Sequence, residues 1–196
     1  MLIYQAITQL QRFSWKAYFS SLFRNSPQTS NSEGKIHLDK RDLNKILRMY
    51  RGVYRNYLQE VDIDFNKEEL KARVKPPLIT PYLEAWLPLN HVNNLEVMLV
   101  LNQSLFLLYR QALIEGKLGA PQVGFREIEL RCDRMFVKKE FHYYVEAHSR
   151  VRETLDLKLE HKKTKKIGDH YWTWCDANVP GFFKAEMTAA MSEKIQ

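Results

Sequence analysis

Hydrophobic and polar positions along the chain predict a mainly α-helical fold with one short β-strand. Residues 35–39 alternate between polar and apolar side chains, as a half-buried strand does. From Asp39, a residue type that caps helix N-termini, the period becomes helical, with an apolar face made by Leu43, Ile46, Leu47 and Tyr50. Gly52 lies either within one long helix or at a turn before a second helix, which carries Val53, Tyr57, Leu58 and Val61.

The chain also contains the pattern of a buried central helix. Residues 95–109 are apolar on nearly all sides and are interrupted only by NQS, so we expect this helix to lie in the core rather than in a membrane. Asn93 and Glu96 predict its start, and Gly116 and Gly119 predict its end. Two shorter helices are expected before it, one after the cap sequence NKEE and one within TPYLEAWLP.

The last third of the chain is harder to interpret. Residues 125–160 have the composition of a long helix, although EIELR and FHYYVEA also suit strands and the period does not separate the two. We interpret this region as helical. The sequence KKTKKIGDHYWTWCDANVPGFF is then expected to form a basic turn and an aromatic-rich irregular segment, followed by a final helix from Lys184 to Ile195.

Composition shifts along the chain predict four regions. Residues 1–24 have apolar side chains at helical spacing and are expected to form an amphipathic arm. Residues 25–34, NSPQTSNSEG, have the small polar composition of a flexible linker. A DNA-binding segment at 35–62 and a helical core with a C-terminal extension at 63–196 complete the prediction.

Charge and cysteine content narrow the expected partners and location. The 196-residue chain has a formal net charge of +7, which favours an anionic partner such as nucleic acid, an acidic protein or a membrane surface. The two cysteines, Cys132 and Cys175, form neither a metal quartet nor a disulfide framework. They suit a reducing cytoplasm, and no export signal is visible.

The net positive charge of one basic segment is nearly as large as that of the whole chain. Residues 35–58 contain seven lysines and arginines against two aspartates, a net of +5. One interpretation is a solvated helix face. The other begins from the strand, because an isolated strand has an unpaired edge that needs a partner. If two copies of the chain pair it antiparallel, the ribbon fits the major groove of DNA.

This interpretation assigns roles to named side chains. Lys35 and His37 would face outward from the ribbon and read bases. The DNA backbone would be held by Lys40, Arg41, Arg48, Arg51 and Arg55. A secondary basic patch that would extend the phosphate contacts is made by Lys162, Lys163, Lys165 and Lys166. The aromatic side chains of HYWTWC would stack on unpaired bases or, as we favour, pack in the core or an interface.

The sequence KIHLDKRDLNKILRMYRGVYRNYL resembles a ribbon-helix-helix unit. Together with PPLITPYLEAWLPLNHVNNLEVMLVLNQSLFLLYRQALIEGKLG, it is similar to the AcaB-type transcriptional activators of conjugative plasmids and integrative elements. The resemblance covers about residues 35–120 and rests on layout. It implies a cytoplasmic double-stranded DNA-binding regulator of transfer genes that acts as a homodimer or larger oligomer.

Catalytic and adaptor functions are the alternatives. His142, Glu146 and His148 lack a recognised metal-site spacing, and Asp169, His170 and Cys175 form no nucleophile motif. We therefore expect no enzyme activity, no metal and no cofactor. The alternative function is a helical adaptor that binds a partner protein through residues 1–24.

Overall fold

The computed structural model describes residues 34–47, 57–75, 94–131, 135–146 and 154–192. Three helices lie in these ranges: α1 (Lys40–Ile46), α2 (Asn94–Glu115) and α3 (Phe125–Arg131). The strands are β1 (Lys35–Leu38), β2 (Leu58–Asp64), β3 (Glu69–Val74), β4 (Phe136–Val145), β5 (Leu155–Ile167), β6 (His170–Val179) and β7 (Phe183–Ser192).

All seven strands form one antiparallel sheet in the order β1-β2-β3-β5-β6-β7-β4. Apolar side chains alternate along the strands, so the sheet has one buried face and one solvent-facing face. We call these the inner face and the outer face. Helix α2 is buried against the inner face, and its side chains join those of the strands in a single hydrophobic core.

The expectation of a mainly α-helical fold is therefore wrong. Residues 136–146 and 154–192, expected to hold helices and irregular chain, contain four strands instead. In β5 the leucines at 155, 157 and 159 alternate with charged residues, a period of two that fits a strand with one buried face. The residues proposed for a second helix, Leu58 and Val61, also lie in a strand. The first three residues of NKEE lie in the β2–β3 turn, and the last, Glu69, begins β3.

The ribbon-helix-helix assignment is overturned by the partner of β1. This strand pairs with β2 of its own chain, with Ile36 opposite Ile63 and Leu38 opposite Val61. The alternation predicted for β1 is confirmed, because Ile36 and Leu38 are buried on the inner face. The strand therefore has its partner within the chain and lies at one end of the sheet, so pairing with a second copy does not explain it.

Two helix predictions are confirmed. The Asp39 side chain caps α1 by accepting a hydrogen bond from the backbone N–H of Asp42 at 2.9 Å. The central helix is present as α2 and ends at Gly116, whose φ of +61° suits glycine. By length and composition alone Glu96–Glu115 is apolar enough to cross a membrane, but 83% of its most apolar window is buried inside the fold.

Candidate functional site

Polar side chains from four elements meet within the otherwise apolar inner face. We call this group the inner polar cluster: Glu68, Tyr109, His161, Thr164, Thr173 and Cys175. Glu68 comes from the β2–β3 turn, Tyr109 from α2, and the other four from β5 and β6. Hydroxyl, thiol, imidazole and carboxylate groups in contact are the chemistry used for nucleophilic catalysis.

A β-bulge in β5 creates this cluster. His161 lies opposite Cys175 and Thr164 lies opposite Thr173, with one extra residue in β5 between the two pairs. In a regular strand, residues three apart point to opposite faces. The extra residue cancels this alternation, so His161 and Thr164 point to the same face.

Glu68 and Thr164 hold the His161 imidazole at both ring nitrogens. Glu68 Oε2 lies 3.1 Å from Nδ1, and Thr164 Oγ1 lies 3.0 Å from Nε2. Because the carboxylate only accepts, it selects the tautomer with hydrogen on Nδ1, which leaves a lone pair on Nε2 for the threonine hydroxyl. The His161 side chain is only 5% exposed, whereas that of Glu68 is 52% exposed.

The backbone also fixes Glu68 beside the histidine. The Glu68 carbonyl accepts a hydrogen bond from the His161 backbone N–H at 2.9 Å. Glu68 has a φ of +54°, a left-handed conformation that is costly for a residue with a side chain. The turn therefore holds this carboxylate in place at some expense in backbone strain, which is common at functional positions.

Tyr109, on α2, contacts the residues of the inner polar cluster that lie on β6. Its hydroxyl bonds with the Thr173 hydroxyl and lies 3.3 Å from the Cys175 sulfur. Burial is the main cause that raises the pKa of Tyr109 above its usual range, and burial likewise raises the pKa of Cys175 to about 11. Both groups are thus protonated at neutral pH, so Cys175 is a poor nucleophile and Tyr109 is a hydrogen-bond donor.

The loop that follows α2 closes over Thr164. Gly119 has a φ of +69°, and a Cβ atom built there would lie 3.3 Å from the Thr164 Cβ. A larger residue would therefore crowd the threonine as well as strain the backbone. Thr164 itself is half-buried, so its hydroxyl lies at the border between the core and solvent.

The residues predicted to read DNA bases lie elsewhere, on the outer face. His37 contacts the Asp62 carboxylate opposite it, with Nδ1 and Oδ1 2.7 Å apart, and this hydrogen bond is the main cause that raises the pKa of His37. Lys35 lies 3.8 Å from Asp64. Both side chains thus face carboxylates of β2, which oppose an approaching phosphate backbone.

Of the predicted backbone-binding residues, the structure describes Lys40 and Arg41. Lys40 donates to the Leu58 carbonyl at 2.8 Å, and partial burial lowers the pKa of its ammonium group. Arg41 is exposed on α1. Arg48, Arg51 and Arg55 lie outside the described residues.

The secondary basic patch lies on β5 rather than on a loop. Lys162 contacts Glu160 and Asp176, both across the outer face. Lys163 lies 4.5 Å from the Trp174 ring centroid and Lys166 lies 5.7 Å from that of Tyr171. Lys165 is exposed on the same strand. The aromatic stretch, expected to be irregular, is strand β6.

Of the catalytic groups weighed from sequence that the structure describes, only Cys175 belongs to the inner polar cluster, and His148 lies outside the described residues. His170 and Cys175 are five residues apart on β6 and so face opposite sides of the sheet. Glu146 bonds to Gly181 and Lys184 rather than to His142. The sequence reasoning missed Glu68, His161 and Thr164. The only local signal was EHKKT, in which a polar HxxT follows an alternating apolar run.

No protein-family model and no curated protein matches this sequence. Among solved structures, the chain is similar to a thioesterase superfamily protein at 15% identity and a TM-score of 0.38, over 63% of this chain and 51% of that chain. It is similar to zebrafish thioesterase superfamily member 2 at 9% identity and a TM-score of 0.44, over 80% of this chain and 99% of that chain. It is also similar to a hypothetical thioesterase with coenzyme A from Streptococcus pneumoniae, at 12% identity and a TM-score of 0.36, over 64% of this chain and 80% of that chain.

These likenesses are too distant to assign an activity to the chain, and the chain spans about half the length of the first protein. The described part of the chain is one antiparallel β-sheet over a core helix, and β1 pairs with β2 of its own chain. This fold is neither a ribbon-helix-helix unit nor a helical adaptor. The expected AcaB-type DNA-binding activator, its double-stranded DNA partner and the alternative helical adaptor are therefore wrong. The expectation that the chain is not an enzyme gains no support from these neighbours.

Proposed function

We propose that this protein is a hydrolase that cleaves esters or thioesters, with Thr164 as the nucleophile and His161 as its general base. The observation that carries the proposal is the pair of hydrogen bonds at the imidazole, 3.1 Å to Glu68 and 3.0 Å to Thr164. A carboxylate, an imidazole and a hydroxyl in this order are the parts that activate an alcohol for acyl transfer.

The chemistry follows from the tautomer that Glu68 selects. The Thr164 oxygen attacks the carbonyl carbon of the substrate while its proton moves to His161 Nε2. The carbon–sulfur or carbon–oxygen bond then breaks, and Nε2 returns the proton to the leaving thiol or alcohol. Water repeats the sequence: it loses a proton to Nε2, attacks the acyl group, and releases the acid and the threonine hydroxyl.

Burial favours Thr164 over the other nucleophiles of the inner polar cluster. The Thr173 side chain is fully buried and Cys175 is 2% exposed, so neither is open to a substrate in this conformation. Thr164 is half-buried and is the hydroxyl in contact with the base. Tyr109, next to these groups, is protonated and can donate a hydrogen bond within the cluster.

One lysine on the same face as Thr164 favours an anionic substrate. Lys166 lies two residues after Thr164 on β5, so both side chains point to the inner face. Lys163 and Lys165 flank Thr164 in the sequence but point to the outer face. Lysine ammonium groups bind phosphate as point charges. An acyl thioester of a phosphorylated carrier, of the coenzyme A type, combines a cleavable bond with a phosphate that suits Lys166.

The proposal is tested by hydrolysis of p-nitrophenyl butyrate and of butyryl-coenzyme A by the full chain. His161→Gln and Thr164→Val should each reduce kcat/KM by roughly 100-fold or more, since each removes a group needed for proton transfer or attack. Thr164→Ser should retain activity, because it keeps the hydroxyl. Thr188→Val and His142→Gln are matched controls on the outer face and should behave as wild type.

The melting temperature of each variant shows whether a loss of hydrolysis results from unfolding or from removal of the catalytic group. A wild-type protein without activity on either substrate would overturn the proposal. So would a folded Thr164→Val variant that remains as active as Thr188→Val.

A cytoplasmic location is also our proposal, as expected from the cysteine content. The division into an arm at 1–24, a linker at 25–34 and later regions stays a prediction, because residues 1–33 lie outside the described part of the chain. Strand β2 runs from Leu58 to Asp64, across the boundary predicted at residue 62.

A further inference from the structure

A second group of polar side chains lies on the outer face, on the opposite side of the sheet from the inner polar cluster. His37 on β1 lies directly opposite Asp62 on β2, and Glu60 lies two residues before Asp62 on the same face. One ligand atom from each of the three side chains lies within 4.8 Å of the others. An imidazole with two carboxylates is a ligand set that divalent transition metals accept.

The two nitrogens of His37 face different partners. Nδ1 lies 2.7 Å from Asp62 Oδ1, and Nε2 lies 4.0 Å from Glu60 Oε1. The short contact selects the tautomer with hydrogen on Nδ1 and leaves a lone pair on Nε2, the nitrogen that lies 4.0 Å from Glu60. In metal sites, the histidine nitrogen that does not bind the metal usually donates its hydrogen to a carboxylate in this way.

The 4.0 Å gap between Nε2 and Oε1 is large enough for an ion. Zinc lies about 2.0 to 2.2 Å from histidine nitrogen and carboxylate oxygen, so two such bonds in line span about 4.1 Å. Small rotations of these half-exposed side chains would bend the arrangement toward a tetrahedral angle.

Glu60 is also held in position. Its other oxygen, Oε2, lies 3.3 Å from an Arg73 guanidinium nitrogen, which leaves Oε1 on the side of His37. Glu60 and Asp62 line a concavity of about 500 Å³ on the outer face, whose charged lining also includes Lys71, Arg73, Asp156 and Lys158. His37 and Asp62 line a second concavity of about 400 Å³. The free coordination positions would therefore open toward polar, solvent-filled space, which suits water or a small anion as the remaining ligand.

We propose that His37 Nε2 and the Glu60 carboxylate bind one divalent transition-metal ion of the zinc type, with Asp62 as the residue that orients the imidazole. Water or a small anion completes the coordination from the concavity. The site is independent of the proposed hydrolase, because the sheet separates the two groups of residues.

Isothermal titration of the full chain with ZnCl2 alone tests this site. Wild type should bind one zinc ion that His37→Gln and Glu60→Gln each abolish, while Asp62→Asn weakens binding by roughly 10- to 100-fold. His142→Gln is the matched control, because His142 also lies on the outer face opposite a glutamate, Glu186, and its loss should change nothing.

Two results would overturn the proposal. The first is no zinc binding by wild type up to millimolar concentration. The second is binding that persists in both folded variants, His37→Gln and Glu60→Gln, because the ion would then lie elsewhere. Equal binding by Asp62→Asn and wild type would overturn the orienting role of Asp62. Hydrolysis by these variants should match wild type, so failure here is distinct from failure of the proposed activity.

Discussion

His161 Nε2 lies 3.0 Å from the hydroxyl of Thr164, although the two residues are three positions apart on one strand. Regular strand geometry would place them on opposite faces of the sheet. The single-residue bulge in β5 brings them together on the inner face, beside Glu68. Bulges of this kind re-aim side chains next to active sites, and here the bulge aligns a base with an alcohol.

Glu68→Gln should lower kcat without unfolding the protein. The glutamine amide can donate to Nδ1, which would place the hydrogen on Nε2 and remove the lone pair that faces Thr164. The expected loss in ester hydrolysis lies between about 10-fold and 10⁴-fold. Glu140→Gln, on an exposed position of β4, is the matched control and should keep wild-type rates.

Glu68→Gly should separate backbone strain from chemistry. Glycine tolerates the φ of +54° at this position, so the substitution should leave the melting temperature unchanged or raise it. It also removes the carboxylate, so hydrolysis should fall at least as far as in Glu68→Gln. A destabilised Glu68→Gly variant with normal kcat would contradict both expectations.

Gly119→Ala and Gly168→Ala form a matched pair. Both glycines have positive φ, +69° and +59°, so alanine should cost about 1 kcal/mol of folding free energy at either position. Only Gly119 lies against Thr164, whereas no atom lies within 4 Å of a Cβ built at Gly168. We expect hydrolysis to fall in Gly119→Ala alone, as measured at equal concentrations of folded protein. Equal rates would show that this loop does not shape the site.

The Cys175 thiol should not react with alkylating reagents in the folded protein. Burial raises its pKa to about 11, so at pH 8 only about one molecule in 1,000 carries the thiolate. In a Cys132→Ser background, iodoacetamide at pH 8 should leave Cys175 unlabelled over a time that fully labels the unfolded chain. Cys175→Ala should retain hydrolysis, and its inactivity as a folded protein would point to the thiol as the nucleophile instead.

The ion pair between Glu146 and Lys184 should contribute stability only above acidic pH. Contacts at 2.7 Å to Lys184 and 3.0 Å to the Gly181 N–H lower the pKa of Glu146. A lowered carboxyl pKa adds stability above the ordinary value of about 4.3, and this is lost as pH falls through the lowered pKa.

Thermal melts of Glu146→Gln and wild type across pH 2 to 7 check this dependence. The variant should melt lower at pH 7, and the two curves should converge in acid. Glu186→Gln, on the exposed face of the neighbouring strand, serves as the control for loss of one negative charge. A constant difference at all pH values would mean that Glu146 acts through packing rather than charge.

Some of this fold is readable in the sequence. The apolar run of α2, interrupted only by NQS, and the glycine after it predict a buried helix and its end, because both signals are local. The alternating leucines of β5 are an equally local strand signal, but the composition of the same region favours a helix and outweighs it. The alternation of β1 predicts a strand, yet nothing in the sequence shows that β2 is its partner.

The inner polar cluster could not be predicted in the same way. Glu68 and His161 are 93 positions apart and meet because β3 pairs with β5. The bulge that turns Thr164 inward is one residue in a run of lysines and has no glycine or proline to mark it. The spacing of these residues in the sequence therefore does not predict that their side chains meet. Their contact depends on which strands pair and in which register.

The central claim, that Thr164 carries the acyl group, is tested most directly by rapid-quench reaction with p-nitrophenyl butyrate and mass mapping of the peptides. We expect a burst of p-nitrophenolate equal to the enzyme concentration and a butyryl adduct on Thr164, absent from Thr164→Val. Steady hydrolysis without a burst, or an adduct on another residue that persists in Thr164→Val, would contradict the account.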